Sequence, residues 1–335
     1  MDAVRLHGVR DLRFEAVADP EAPGPDAVRI KIEAAGICGS DLHNFATGQW
    51  ISRAPSVAGH EFCGIVESVG ADVSGLTPGD AVVADSRYWC GTCAECRAGH
   101  YHCCATLGFV GEACDGGFAE AVILPARLVH KRPADVPVPI AAMAEPLAVA
   151  LHAVARISPT KGAPVLVVGC GTIGGLIALV LAHNHEGPVL VGDRNGARAE
   201  LVASVTGARV VTLDGEAISQ ALAGETLRCA IDATGAIPAI EAAMGVLGPR
   251  SRLGLVGISH GALVLDPNSL VEREIGLMGC HAFADELPQA IGMLGALAGQ
   301  LEALIDAEIG LADVPAAYER LLAGETKGLK TIIRI

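Results

Sequence analysis

The stretch VLVVGCGTIGG, residues 165–175, decides the fold of this 335-residue chain. Four apolar residues run into Gly169, Gly171 and Gly174, spaced G-x-G-x-x-G, and the apolar character continues to residue 182. Twenty residues without a charge, 163–182, are long enough to test as a membrane span. Pro164 and the glycines instead break the segment into a buried strand, a tight turn and a buried helix. In that context Gly169 makes the turn, Gly171 lets the backbone approach a pyrophosphate, and Gly174 lets helix and strand pack closely. The N–H groups at the start of the helix favour an anion. Gly169, Gly171, Thr172, Ile173 and Gly174 are therefore the expected dinucleotide contacts.

Outward from this turn, apolar runs recur at 189–192, 209–213, 228–232, 252–256 and 275–279. Helix-like segments such as 195–206 and 237–247 lie between them. Strand alternating with helix predicts a parallel sheet covered on both faces, and six strands fit a doubly wound dinucleotide-binding domain. The second strand ends at Asp193, where a carboxylate can accept both ribose hydroxyls of NAD and repel a 2′-phosphate. Arg194 and Arg198 close by could accommodate NADP, so NAD is favoured rather than fixed. Val256, ending the fifth run, is also expected beside the cofactor.

Residues 1–150 read differently. Strand-like runs at 27–35, 63–69 and 81–84 are separated by Gly, Pro and long irregular connections, which predicts a β-rich, loop-heavy domain. The tail, 285–335, is helical in pattern and ends in KTIIRI, a closing strand. The net charge of −14 argues against a nucleic-acid partner, and no basic amphipathic stretch suggests a membrane surface. The charged start lacks an apolar core of the secretory kind, and eleven cysteines fit a reducing compartment, so a cytoplasmic location is expected.

Five cysteines crowd CGTCAECRAGHYHCC, 90–104. Cys90, Cys93, Cys96 and Cys104 have the spacing of a closed tetrahedral zinc site, which leaves no position for substrate. Cys103 is an alternative fourth donor, and an iron–sulfur cluster or a pair of disulfides are the competing readings. Outside this lobe, GICGSDLH (36–43), GHEFCGIVESVGADV (59–73) and AEPLAVALHA (144–153) offer Cys38, His60, Glu61 and Glu145. Three protein donors plus water make an open, catalytic type of zinc site.

With these motifs together, the chain resembles the zinc-dependent medium-chain alcohol dehydrogenases over nearly its whole length. The Glu-Pro at 145–146 is similar to the sorbitol, threonine and butanediol dehydrogenase branch. The resemblance implies an α/β fold: a GroES-like β-rich catalytic domain (1–150 and 285–335, with the structural zinc lobe at 88–105) plus a Rossmann domain (151–284) with a six-stranded parallel sheet. It implies two zincs per chain, NAD, and a small-molecule alcohol substrate, with the reaction in a cleft between the domains. Cys38 and His60 would be zinc ligands, with Glu61 or Glu145 as the third. Asp41 would orient His60; Ser40 would take the substrate's hydroxyl proton and His43 would pass it on. It also implies a homodimer or homotetramer, for which GALVLD (261–266) is a candidate edge strand. The branch's polyol-recognising arginine is replaced by His281, which widens the expected substrates to diols and other secondary alcohols. Phe45, Trp50 and Phe109 are candidates to line the pocket. A zinc-free quinone or enone reductase of the same superfamily, or a non-catalytic NAD-binding protein, are the alternative readings. Cys63, Cys170, Cys229 and Cys280 read as small buried hydrophobes.

Overall fold

The computed structural model describes all 335 residues. The chain divides into two compact units: Met1–Glu145 with Leu287–Thr326 and Lys330–Ile335, and Pro146–Glu286 with Lys327–Leu329.

The second unit is built on six parallel strands: Val165–Val168, Val189–Gly192, Arg209–Val210, Cys229–Asp232, Arg252–Leu255 and Gly276–Gly279. Counted along the chain, their order across the sheet is 3-2-1-4-5-6. The order reverses beside the first strand, and the glycine turn leaves that strand at its carboxyl end, where doubly wound sheets bind ligands. All four residues of Val165–Val168 are fully buried, as a central parallel strand requires. The helix that follows, Thr172–Asn184, is buried from Gly174 to Leu181, so its apolar run faces protein around much of its circumference. No helix of the chain is long and apolar enough to cross a membrane.

One sequence expectation changes here. The run at 209–213 is only a two-residue strand at the sheet edge, paired on one side; Asp214 then caps the next helix by accepting from Ala217 N at 2.8 Å. The stretch 261–266 pairs with no strand of its own chain and leads into the short helix Pro267–Val271, whose N-cap is Asp266. The helix expected over 195–206 spans Gly196–Thr206, with Asn195 accepting from the N–H groups of Ala197 and Arg198.

The first unit centres on strand Ala27–Gly36, which pairs antiparallel with Glu61–Val69, Ala121–Pro125 and Lys330–Arg334. Its Val28, Ile30 and Ile32 alternate into the core, which Phe62, Phe118 and Tyr318 fill from other elements. The closing strand is the expected KTIIRI segment, but it is flanked by Ile305–Gly310, a strand not apparent from the sequence. Register matters most at one end. Gly36 lies opposite both Glu61 and Ile332, so the strand ends bring residues 36–38, 60–61 and 330 to one place. Glycine at 36 leaves them room, because a Cβ would meet the Glu61 carboxylate and the Lys330 side chain and force them to shift.

Candidate functional site

Cys38 is the N-cap of helix Gly39–Thr47. Asp41, in the first turn, reaches back and accepts from Cys38 N at 2.9 Å through Oδ2. Its other oxygen, Oδ1, lies 3.3 Å from His60 Nδ1. The same helix start therefore presents the Cys38 thiol and fixes the His60 ring, with Nε2 left facing the thiol side. Ser40 Oγ sits there too, donating to Cys38 Sγ at 3.1 Å and lying 3.4 Å from His60 Nε2. Glu61 completes the group: one donor atom each from Cys38, His60 and Glu61 lie within 4.8 Å of one another.

The chemistry of this cluster suits a cation. His60 and Glu61 are buried at 6% and 1% exposure. Glu61 Oε1 has no hydrogen-bond partner, which is costly for a buried charged oxygen. Burial works against a charged His60, yet Asp41 and Cys38 outweigh it and raise its pKa well above the usual range. A divalent ion gripped by one sulfur, one nitrogen and one carboxylate would satisfy all three groups and leave a fourth position open. Lys330, 1% exposed, pairs with the Glu61 carboxylate and donates to Ile37 O at 2.9 Å.

Glu145 stands outside the three-donor group. It opens helix Ala144–Ile157, is 6% exposed, and accepts from the buried Ser86 hydroxyl at 2.6 Å. Burial pushes its carboxyl up to about 7. Neither Ser86 nor Lys330 is apparent from the sequence as a site residue. The only available signal is a lysine at the head of the closing strand, just before Ile332 and Ile333.

His43 lies on the same helix as Ser40, with Nε2 at 2.8 Å from Gln49 Oε1 and its ring 4.4 Å from Trp50. Phe109 is tilted against His60, ring centres 6.3 Å apart. Phe45 is not a pocket residue: it is 3% exposed and packs edge-on against Tyr318 in the core.

The cysteine lobe gathers Cys90, Cys93, Cys96 and Cys104, with Cys103 exposed outside the group. Sulfur–sulfur distances of 3.5–4.0 Å bracket the ~3.8 Å edge of a tetrahedron with ~2.3 Å zinc–sulfur bonds, and are far from a disulfide. Backbone N–H groups of Thr92 and Cys93 point at Cys90 Sγ, each at 3.4 Å, and together with the Thr92 hydroxyl pull that thiol down to about 5. Cys93 is lowered as well, chiefly by backbone N–H groups, whereas burial pushes Cys96 up to about 12, so the lobe favours thiolate at Cys90 and Cys93, the form a metal needs.

In the second unit the glycine turn has the expected geometry. Gly169 has φ +97°, and a Cβ on Gly174 would strike Gly169 O, whereas one on Gly171 would meet nothing within 4 Å. Space is therefore left open at Gly171, where a pyrophosphate would approach. Thr172 Oγ1 donates to Leu329 O at 2.6 Å, and Ile173 is half-buried. Asp193 accepts from Cys170 N and Asn195 N, both at 2.6 Å, which sets its carboxylate at the turn. Arg194 is exposed, Arg198 half-buried, and Val256 N donates to Asp232 O.

Known proteins share this arrangement. Residues 24–134 match the alcohol dehydrogenase GroES-like domain, and residues 175–296 match the zinc-binding dehydrogenase domain. The chain is 31% identical to the 2-dehydro-3-deoxy-L-galactonate 5-dehydrogenase of Pseudoalteromonas atlantica, covering 93% of this chain and 92% of that one. It is 30% identical to the sorbitol dehydrogenase of Halalkalibacterium halodurans, over 95% of each. The crystal structure of galactitol-1-phosphate dehydrogenase from Escherichia coli superposes with a TM-score of 0.93 at 28% identity, covering 100% of both chains. Two domain matches in their proper order, relatives aligned end to end and a donor set of the right chemistry agree: the chain is a dehydrogenase and belongs to the zinc-binding alcohol dehydrogenase family.

Proposed function

We propose that this enzyme oxidises a secondary alcohol of the polyol, diol or sugar-acid type with NAD, using one catalytic and one structural zinc per chain. The observation that carries the reading is the convergence of the Cys38, His60 and Glu61 donor atoms within 4.8 Å, backed by Asp41. The relatives act on a sugar acid and on sorbitol by name, which supports the substrate class.

Cys38, His60 and Glu61 would hold the catalytic zinc, with Glu145 close enough in kind to exchange with Glu61. Cys90, Cys93, Cys96 and Cys104 would hold the structural one. Zinc there supplies Lewis acidity that lowers the pKa of an alcohol towards neutrality. NAD supplies the hydride acceptor, so an alcohol and NAD+ become a ketone, NADH and a proton. The protein's part is placement and proton handling. Ser40, between the Cys38 sulfur and His60 Nε2, would receive the hydroxyl proton. His43, held by Gln49, would carry it onward. Asp41 keeps Nε2 of His60 directed at the reacting side. The Gly169–Gly174 turn would seat the pyrophosphate, with Thr172, Ile173 and Val256 nearby. The Asp193 carboxylate favours an unphosphorylated ribose, although Arg194 and Arg198 leave room for some NADP use. A cytoplasmic homodimer or homotetramer is the proposed working form.

The test is a metal count combined with a screen at the NADH absorption band. Polyols, vicinal diols, sugar acids, simple secondary alcohols and L-threonine are offered with NAD and NADP in parallel. Two zincs per chain and NADH formation with at least one substrate class are expected. Fewer than two zincs, or NAD binding without turnover across the panel, would overturn the reading.

A further inference from the structure

Behind His60 lies a polar group that the scheme above does not use. Tyr318, on helix Val314–Leu322, is 1% exposed, and its hydroxyl has no hydrogen-bond partner. Leaving a buried hydroxyl unpaired is costly, because its desolvation goes uncompensated. The ring is not free to turn away, because it packs edge-on against Phe45 at 5.4 Å and Phe118 at 6.5 Å. Packing thus aims the hydroxyl where it is.

Tyr318 lines a cavity of about 10 Å3 together with Asp41, Asn44, Gly111 and Glu112, and apolar side chains complete the lining. That is close to the room one water needs, and the polar lining offers the two to four partners a buried water takes. Asp41 has capacity to spare. Oδ2 accepts from Cys38 N and Oδ1 faces His60 Nδ1, and each carboxylate oxygen can accept a second bond.

We infer that one ordered water occupies this cavity and joins the Tyr318 hydroxyl to the Asp41 carboxylate, which makes Tyr318 a positioning residue for His60. Tyr318 donates to the water, the water donates to Asp41, and Asp41 accepts from His60 Nδ1, leaving Nε2 as the donor to metal. Burial first, and then the Asp41 charge, raise the Tyr318 pKa well above its ordinary value, in keeping with a hydroxyl that stays protonated and donates. The inference rests on the reading that His60 holds a metal.

The test is Tyr318→Phe, which keeps the packed ring and removes only the oxygen. Zinc release to a chromogenic chelator is followed in the zinc-loaded enzyme and the variant, with the cysteine lobe as internal control. Partners outside the ligand shell typically change metal affinity 10- to 100-fold. Tyr318 acts one bond further out, so release from the His60 site should quicken about three- to tenfold while release from the lobe is unchanged. A high-resolution crystal structure of the unsubstituted enzyme should place a water within hydrogen-bond reach of both Tyr318 Oη and Asp41, and this holds as a test even if the variant folds poorly. Unchanged release from the His60 site, or a cavity without that water, overturns the inference alone. Zinc found only in the lobe overturns the metal reading, and this inference with it.

Discussion

The two candidate metal sites are assembled in opposite ways. The lobe draws its four sulfurs from residues 90–104, with Cys90 exposed and Cys96 and Cys104 buried, and its own N–H groups and the Thr92 hydroxyl stabilise the Cys90 thiolate. The other takes Cys38, His60 and Glu61 from two segments, buries His60 and Glu61, and leans on Asp41, Lys330 and Tyr318 from across the unit. A contiguous, self-sufficient knuckle suits an ion that only has to stay. A dispersed, mixed-donor site, held from behind by remote groups, suits an ion that must leave a position open and be tuned.

The sharpest way to break this comparison is to remove one donor from each site. Cys38→Ala should cut NADH formation by at least about 10³-fold, since Lewis-acid catalysis contributes several kcal/mol and each ~1.4 kcal/mol is tenfold. Its fold should remain, and one zinc per chain should stay in the lobe. Cys93→Ala should reverse the pattern, losing the lobe zinc and thermal stability first, with activity falling only as the protein unfolds. If Cys38→Ala retained turnover, or Cys93→Ala abolished it in a fully folded protein, the division of labour would collapse. Metal analysis and thermal melts beside the rate assay decide.

Next in size is the remote support. In the metal-free protein Lys330→Met leaves the Glu61 carboxylate buried without a cation, and breaking a buried pair from one side typically costs about 3–5 kcal/mol. Urea unfolding should show a loss of that order, and adding Glu61→Gln should restore more than half of it, because the stranded charge is then gone. No restoration would mean that Lys330 acts through packing alone.

The difference between the sites also governs what the sequence reveals. The lobe and the glycine turn are legible because their chemistry is written in local spacing, down to Asp193 at the end of the next strand. The order of the parallel sheet follows from alternation and connection rules. The dispersed site is legible only in its donor types. That Glu61 rather than Glu145 joins Cys38 and His60 depends on antiparallel register between Ala27–Gly36 and Glu61–Val69. That Lys330 meets Ile37, 293 residues away in sequence, depends on where the closing strand docks. Tyr318 reads as one more helical aromatic until the cavity beside it is seen. Strand boundaries at the sheet edge and the strand Ile305–Gly310 were likewise set by pairing partners, which no local pattern records.

The smallest effect separates the sites most finely, because it compares like with like. Near each site a hydroxyl donates to a potential donor side chain: Ser86 to Glu145, the carboxylate outside the three-donor group, at 2.6 Å, and Thr92 to Cys90 Sγ at 3.6 Å. Ser86 is fully buried, so in Ser86→Ala no water readily replaces the lost donor, and the carboxylate is left under-satisfied. The expected cost is about 1–3 kcal/mol. Thr92 is exposed, so water takes over its bond in Thr92→Ala, and the change should stay within about 0.5 kcal/mol. Urea unfolding of both variants, each with its zinc content checked, gives the two numbers. Equal losses would mean that burial does not distinguish the two shells, and the contrast between a self-sufficient lobe and a supported site would have to rest on donor chemistry alone.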